Sequence, residues 1–380
     1  MVKKRLAILI LVLFTVSLVS IQYGDAVAKN IKIICNNKAK TKNPPKVKDI
    51  IAESMKELKK KGIKENSDGM LLLKRYEYYM SEISKGNVFS SYKAYTVPTV
   101  YNMTAFSETI NSGTIQKVVD NTLKRKDAFE GITGLFERAY KSVIDGKIDS
   151  YIIYVPTGYD PSKEYPLVVL LHGLGEMAYL SSFSPAHSAY LNSCEKNGII
   201  MVAPCGRHGD AGNETFYQND GERDVLQVID LVKKSYNINK NKVYLTGMSM
   251  GGYGTWYLGT KHSSLFAAIA PVSGYGICTE ELRFALEYYY SNKEVFPEPP
   301  IIDYDAMKID ITPLKDTPVM VSHGNMDYVI PVSESREFVR QLEEKGYEVV
   351  YNELEGVGHE AADYVYAGDS LNEWFLKHSK

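Results

Sequence analysis

Apolar positions along the chain fall into two regimes that meet near Tyr140. Upstream, Val47, Ile50, Ile51, Met55 and Leu58 recur at the spacing of one helix face, and Gly62 follows as a stop signal. A second helical segment runs from about Met70 to Ile83, where Tyr76, Tyr78, Tyr79 and the leucines read as packing residues. Residues 87–113 carry no clear period, and Gly113 to Glu137 reads as mostly helical. Downstream, "YKSVIDGKIDSYIIYVP" is two extended runs around Asp145-Gly146, a dipeptide suited to a tight hairpin turn. "YPLVVLLHG" is a continuous apolar strand of the kind buried on both faces of a parallel sheet. The strands "GIIMVAP", "VYLTG", "LFAAIAPVSG", "PVMVSHG" and "EVVYNELEG" then alternate with helices, among them "RDVLQVIDLVKKSYN" and the closing "DSLNEWFLKH". Alternation of this kind predicts an α/β fold, a mostly parallel, doubly wound sheet with helices on both faces. In such sheets the ligand site lies beyond the carboxyl ends of the strands.

The first residues follow neither pattern. Lys3, Lys4 and Arg5 precede an apolar run from Leu6 to Phe14 that continues to Ile21, and Ala26-Val27-Ala28 fits a signal-peptidase site. The apolar core is shorter than the roughly 20 residues a spanning helix needs. The expectation is a cleaved signal peptide over residues 1–28, with a retained anchor as the alternative. The protein is then secreted or extracytoplasmic, with no stable membrane span after cleavage. A polar, lysine-rich lead-in from Lys38 to Lys48 opens a helical N-terminal extension over residues 29–130, and the alternating strands and helices form a second domain over residues 131–380.

A net charge of -2 gives no electrostatic reason to expect nucleic acid. The four cysteines (Cys35, Cys194, Cys205, Cys278) show no Cys-x-x-Cys pairing, so a structural zinc site is not expected and buried free thiols are.

Chemistry concentrates at the strand ends. "VYLTGMSMGGYGTW" places Ser249 between Gly247 and Gly251 in a strand–turn–helix context, the pattern of a G-x-S-x-G nucleophile elbow. The glycines permit close approach while the strained serine is lifted above the sheet. A glycine-rich turn that merely reverses the chain is the competing reading. A serine hydroxyl needs a base, and the base an orienting acid. In this arrangement they follow in the order serine, acid, histidine. "HGNMDYVIP" places Asp327 just past one strand, and "ELEGVGH" places His359 just past the next. Asp303, Asp305 and Asp310 are the alternative acids; His262, His323 and His378 fit the base position less well. The oxyanion needs N–H donors, for which Met250 and Leu174 are the candidates, the latter in "LLHGLGE". His172 reads as a hydrogen-bonding support.

"HGLGE", "VYLTGMSMGGYGTW", "HGNMDYVIP" and "GVGH" together resemble the α/β-hydrolases. They are most similar to secreted carboxylesterases of the phospholipase/carboxylesterase and polyhydroxybutyrate-depolymerase/feruloyl-esterase group, which are often described as predicted peptidases of the prolyl oligopeptidase clan. The resemblance covers residues 131–380 and implies an α/β-hydrolase fold and a serine carboxylesterase with no metal or organic cofactor. Its substrate would be a small-molecule or polysaccharide-linked ester, such as a feruloyl or acetyl group on plant polysaccharide. Two rivals stay open: a peptidase using the same triad, and a catalytically silent binding module on this scaffold. Two stretches overlook the site and would set specificity, "CGRHGDAGNETFYQNDGERD" and the insertion containing Tyr288, Tyr289 and Tyr290.

Overall fold

The computed structural model describes residues 47–84, 112–173, 185–206, 217–291 and 303–380. Its centre is an eight-stranded sheet in the order β1-β2-β4-β3-β5-β6-β7-β8. The strands are β1 (Gly134–Lys141), β2 (Ile148–Val155), β3 (Tyr165–Leu171), β4 (Ile200–Pro204), β5 (Ile238–Met248), β6 (Ala268–Val272), β7 (Val319–Gly324) and β8 (Val349–Leu354). β2 pairs antiparallel with both β1 and β4, and every other pairing is parallel.

The strand sequences explain the burial. In β3, Leu167, Val169 and Leu171 point into one core and Val168 and Leu170 into another, the two-residue period of a strand covered on both faces. The first core is closed by α5 (Asp220–Ser235), α6 (Met250–Lys261) and α8 (Ser333–Glu344) through Val225, Val228, Trp256, Leu258, Phe338 and Leu342. The second is closed by α4 (Pro185–Asn197) and by the C-terminal α9 (Ala362–Val365) and α10 (Ser370–Phe375), which contribute Tyr190, Cys194, Ala362 and Phe375. A further helix, α7 (Glu280–Tyr290), lies between β6 and β7.

The N-terminal helices α1 (Val47–Lys60), α2 (Asp68–Ser84) and α3 (Ser112–Leu123) do not form a core of their own. Ile51, Leu58, Leu72, Tyr76 and Val118 belong to the same buried cluster as Leu167 and Val243 of the sheet. A buried cation fixes the junction. Arg138 of β1 reaches Asp68 at 3.2 Å and Asp127 at 3.6 Å, and its guanidinium lies 4.3 Å from the Phe129 ring centre. Planar charge stacked on an aromatic face suits such a site, since its two carboxylates remain partly in water.

Two local expectations need correction. Gly113 to Glu137 is not one helix: α3 ends at Leu123 and β1 begins at Gly134. Arg125, Gly131 and Gly134 take φ values of 58°, 70° and 81°, which no helix accommodates. Nor is the Asp145-Gly146 turn a tight two-residue one, because the strands end at Lys141 and Ile148. Side chains turn the intervening loop: Ser142 Oγ accepts from Ile144 N–H and Asp145 Oδ1 from Lys147 N–H. The signal-peptide assignment and most of the lysine-rich lead-in lie outside the described residues, though Val47 and Lys48 open α1. Among the described residues no helix is long and apolar enough to cross a membrane. The strand order, with its antiparallel start and parallel remainder, is that of the α/β-hydrolase fold.

Candidate active site

β5 runs into Ser249, and α6 starts at the next residue. Ser249 has φ 58° and ψ −116°, a region that non-glycine residues occupy only when the surroundings hold them there, at a cost of about 1–3 kcal/mol. The backbone supplies that hold. Ser249 N–H donates to Val272 O at 2.9 Å, and Ser249 O accepts from Tyr253 N–H at 2.9 Å. The flanking glycines are a steric necessity. A Cβ on Gly247 would sit 2.6 Å from Leu171 O and from Gly251 O, and one on Gly251 would sit 2.2 Å from Leu171 O. The elbow is therefore wedged against the end of β3.

Ser249, Asp327 and His359 come together. His359 Nε2 lies 3.0 Å from Ser249 Oγ, and His359 Nδ1 lies 2.7 Å from Asp327 Oδ2. Asp327 is buried, whereas Ser249 and His359 are only partly covered, so the line of hydrogen bonds runs from the interior to an accessible hydroxyl. The acid loop is fixed by the other carboxylate oxygen: Asp327 Oδ1 accepts from the N–H groups of Val329 and Ile330 at 2.9 Å each. Met326 N–H donates to Val357 O at 2.9 Å, tying the acid loop to the histidine loop. Burial alone would raise the Asp327 pKa, but hydrogen bonds from His323 and His359 outweigh it and hold the carboxyl well below its usual range. Asp327 is thus an anion able to orient an imidazole and to stabilise its cation.

The alternative acids are occupied elsewhere. Asp303 caps its own turn, Asp305 pairs with Lys308, and Asp310 accepts from Thr312. Met250 is the first residue of α6, where helix geometry gives its N–H no intrahelical acceptor and the helix dipole favours negative charge. Leu174 lies outside the described residues. The residue before the end of that description, His172, is buried, with Nδ1 2.9 Å from Gly173 O and Nε2 2.9 Å from Cys205 O. Tyr217 Oη donates to His172 O at 2.9 Å. His172 is thus held among carbonyls beside the elbow. Of the two stretches expected to set specificity, residues 207–216 and 292–302 lie outside the described residues, as do the side chains of Tyr289 and Tyr290; Tyr288 is partly buried on α7.

Among the thiols, Cys194 and Cys278 are free and buried, and Cys205 is only partly buried. Burial pushes the Cys194 thiol up to about 12 and the Cys278 thiol up to about 11, which leaves neither as a thiolate nucleophile. Among the described residues no cluster of three or more His, Cys, Asp or Glu is arranged to hold a metal ion.

Sequence order passed over three residues. His323 contacts Asp327, and Ser335 contacts His323. Glu334, fully buried at the start of α8, accepts from the N–H groups of Gly276, Ile277, Cys278 and Thr279 at 2.7–3.2 Å. The only signal in the sequence was a polar pair, Glu334-Ser335, on the same helix as the apolar Phe338 and Leu342.

A model of the prolyl oligopeptidase family matches residues 185–380, a span that takes in the elbow, Asp327 and His359. The chain belongs to the prolyl oligopeptidase family. Curated relatives of this family member divide by activity. A bifunctional acetylxylan esterase/xylanase of Neocallimastix patriciarum is 32% identical over 125 residues, covering 32% of this chain and 17% of the relative. A probable feruloyl esterase C of Aspergillus terreus is 32% identical over 130 residues, covering 33% of this chain and 46% of the relative. Dipeptidyl-peptidase 5 of Porphyromonas gingivalis is 27% identical over 218 residues, covering 52% of this chain and 31% of the relative. The chain thus aligns with less than half the length of each of these relatives.

Proposed function

We propose that this chain is a serine carboxylesterase acting by two-step acyl transfer, the hydrogen-bonded line Ser249–His359–Asp327 being the observation that carries the reading. Ser249 Oγ donates to His359 Nε2, and His359 Nδ1–H donates to Asp327, so the imidazole is already oriented to receive the serine proton. Attack on an ester carbonyl forms the Oγ–carbon bond and an oxyanion, which the N–H groups of Met250 and, from its sequence position, Leu174 would stabilise. His359 then gives its proton to the departing alcohol, and water repeats the cycle to release the acid.

Relatives named as acetylxylan and feruloyl esterases support a polysaccharide-linked acetyl or feruloyl ester as substrate, and the residue 1–28 pattern supports action outside the cytoplasm. The test is hydrolysis of p-nitrophenyl acetate with fluorophosphonate labelling. Wild-type turnover and labelling, both abolished in Ser249→Ala, are expected; turnover by Ser249→Ala at the wild-type rate overturns the assignment. A second reading, peptidase, is favoured by the longer dipeptidyl-peptidase alignment. Side-by-side kcat/KM for methyl ferulate and for dipeptidyl amides separates the two, and preference for the amides would reverse our choice.

A further inference from the structure

Two imidazoles, not one, face the Asp327 carboxylate. His323, in β7, is fully buried, with Nε2 2.9 Å from Ile330 O and 3.4 Å from Asp327 Oδ2. Both of those oxygens only accept, so Nε2 carries the hydrogen. Nδ1 lies 2.6 Å from the Oγ of Ser335, itself fully buried in the first turn of α8, and the hydroxyl donates there. Ser335 therefore selects the Nε2–H tautomer, as the partner of one ring nitrogen generally does for the other. With Asp327 Oδ1 taken by the backbone N–H groups of Val329 and Ile330, Oδ2 is shared between His359 and His323.

We infer that His323 is a positioning residue for the Asp327–His359 pair: held as the Nε2–H tautomer by Ser335, it clamps the 327–330 turn and takes part of the charge on Oδ2 that His359 would otherwise receive alone. The inference rests on the reading of His359 as the base for Ser249. An imidazolium at His359 draws its stabilisation from the negative charge on Oδ2. A second donor on that oxygen moderates the pull, while the clamp keeps the oxygen within reach. The other charged groups around the cluster are Glu353, Glu334, Glu360 and Asp363. Glu353 pairs with Arg336 and accepts from Tyr351; Glu334 takes the 276–279 N–H groups; Glu360 accepts from Gly358 N–H; and Asp363 of α9 faces Glu360. None of these residues is substituted in the variants below, and Glu353 also lies within electrostatic reach of His323.

The experiment compares wild type, His323→Leu, His323→Gln and Ser335→Ala in the full chain, by the pH profile of kcat/KM and by NMR titration of the His359 ring. His323→Leu removes the donor, and the acid limb is expected to move up by about half a pH unit, with kcat falling on the order of ten-fold. Glutamine can present an amide N–H near the same place, so His323→Gln should restore most of both. Ser335→Ala keeps the ring but frees the tautomer, and should give a smaller shift in the same direction even where His323→Leu fails to fold. A purely structural role predicts lower stability with the limb unmoved, and an unmoved limb in Ser335→Ala and His323→Leu overturns the inference. The ring titration reads the shift without turnover, so an inactive wild type whose His323→Leu and Ser335→Ala variants still shift the His359 titration would count against the esterase reading and for this one.

Discussion

Replacing Glu334 should loosen the loop that backs Ser249. Its Oε2 accepts three backbone N–H groups, from Gly276, Ile277 and Cys278 at 2.9, 2.9 and 3.2 Å, and its Oε1 accepts Thr279 N–H at 2.7 Å. Ile277 and Thr279 are partly exposed and can turn to water, but Gly276 and Cys278 are buried and cannot. At about 1–3 kcal/mol for each buried donor left without an acceptor, Glu334→Ala should cost on the order of 4 kcal/mol. Glu334→Gln keeps one oxygen for the three clustered donors but sets an amide N–H₂ against Thr279 N–H, for about 2 kcal/mol. The smaller loss corresponds to a fall of about 3 °C in Tm, and the alanine variant should fall about twice as far. The same loop begins at Ser273, beside the Val272 carbonyl that holds Ser249 N–H, so kcat should drop together with stability. Thermal and urea unfolding with parallel ester kinetics measure both. A Glu334→Ala protein within about 1 °C of wild type would refute the reasoning.

Further expectations concern the elbow, the acid and the helical extension. Gly251→Ala puts a Cβ 2.2 Å from Leu171 O, so the elbow must move by about 1 Å; kcat/KM should fall about a hundred-fold, and an unchanged value would show the wedge to be irrelevant. Asp327→Asn should lower kcat by about 10³–10⁴-fold, read by ester turnover at neutral pH. Because the Asp327 carboxyl is held below its usual range when folded, its contribution to stability is present above about pH 4 and lost as pH falls toward the folded value, so the stability gap between wild type and Asp327→Asn should close in acid. Deleting residues 1–124 strips Ile51, Leu58, Leu72 and Tyr76 from the shared core, and the remainder should lack a cooperative unfolding transition by circular dichroism; a sharp one would make the extension a dispensable unit.

What could be read from the sequence and what could not divide by range. The strands, the flanking helices and the elbow were legible because each is dictated locally: a two-residue alternation in β3, a helical stripe in α5, a steric demand for glycine either side of Ser249. That Asp327 and His359 would meet Ser249 was legible because strand-end order makes a distant pairing into a rule about sequence order. The α3 boundary was misread because Lys124 to Glu130 keeps a helix-compatible composition while Arg125 takes positive φ. His323 precedes the aspartate and so fits the base position less well, yet the short path from β7 into the acid loop is what lets it reach Asp327. Glu334 and Ser335 were invisible for a deeper reason: the groups they satisfy lie on other elements, and no period records where a buried N–H will find its acceptor. Those two neighbours work in opposite directions from one helical turn. Glu334 holds the loop after β6, the strand whose last carbonyl, Val272 O, accepts from Ser249 N–H, and Ser335 holds the histidine that faces Asp327. The start of α8 thus ties the serine side of the triad to the aspartate side, and a shift of that turn would be felt at both ends of the Ser249–His359–Asp327 line.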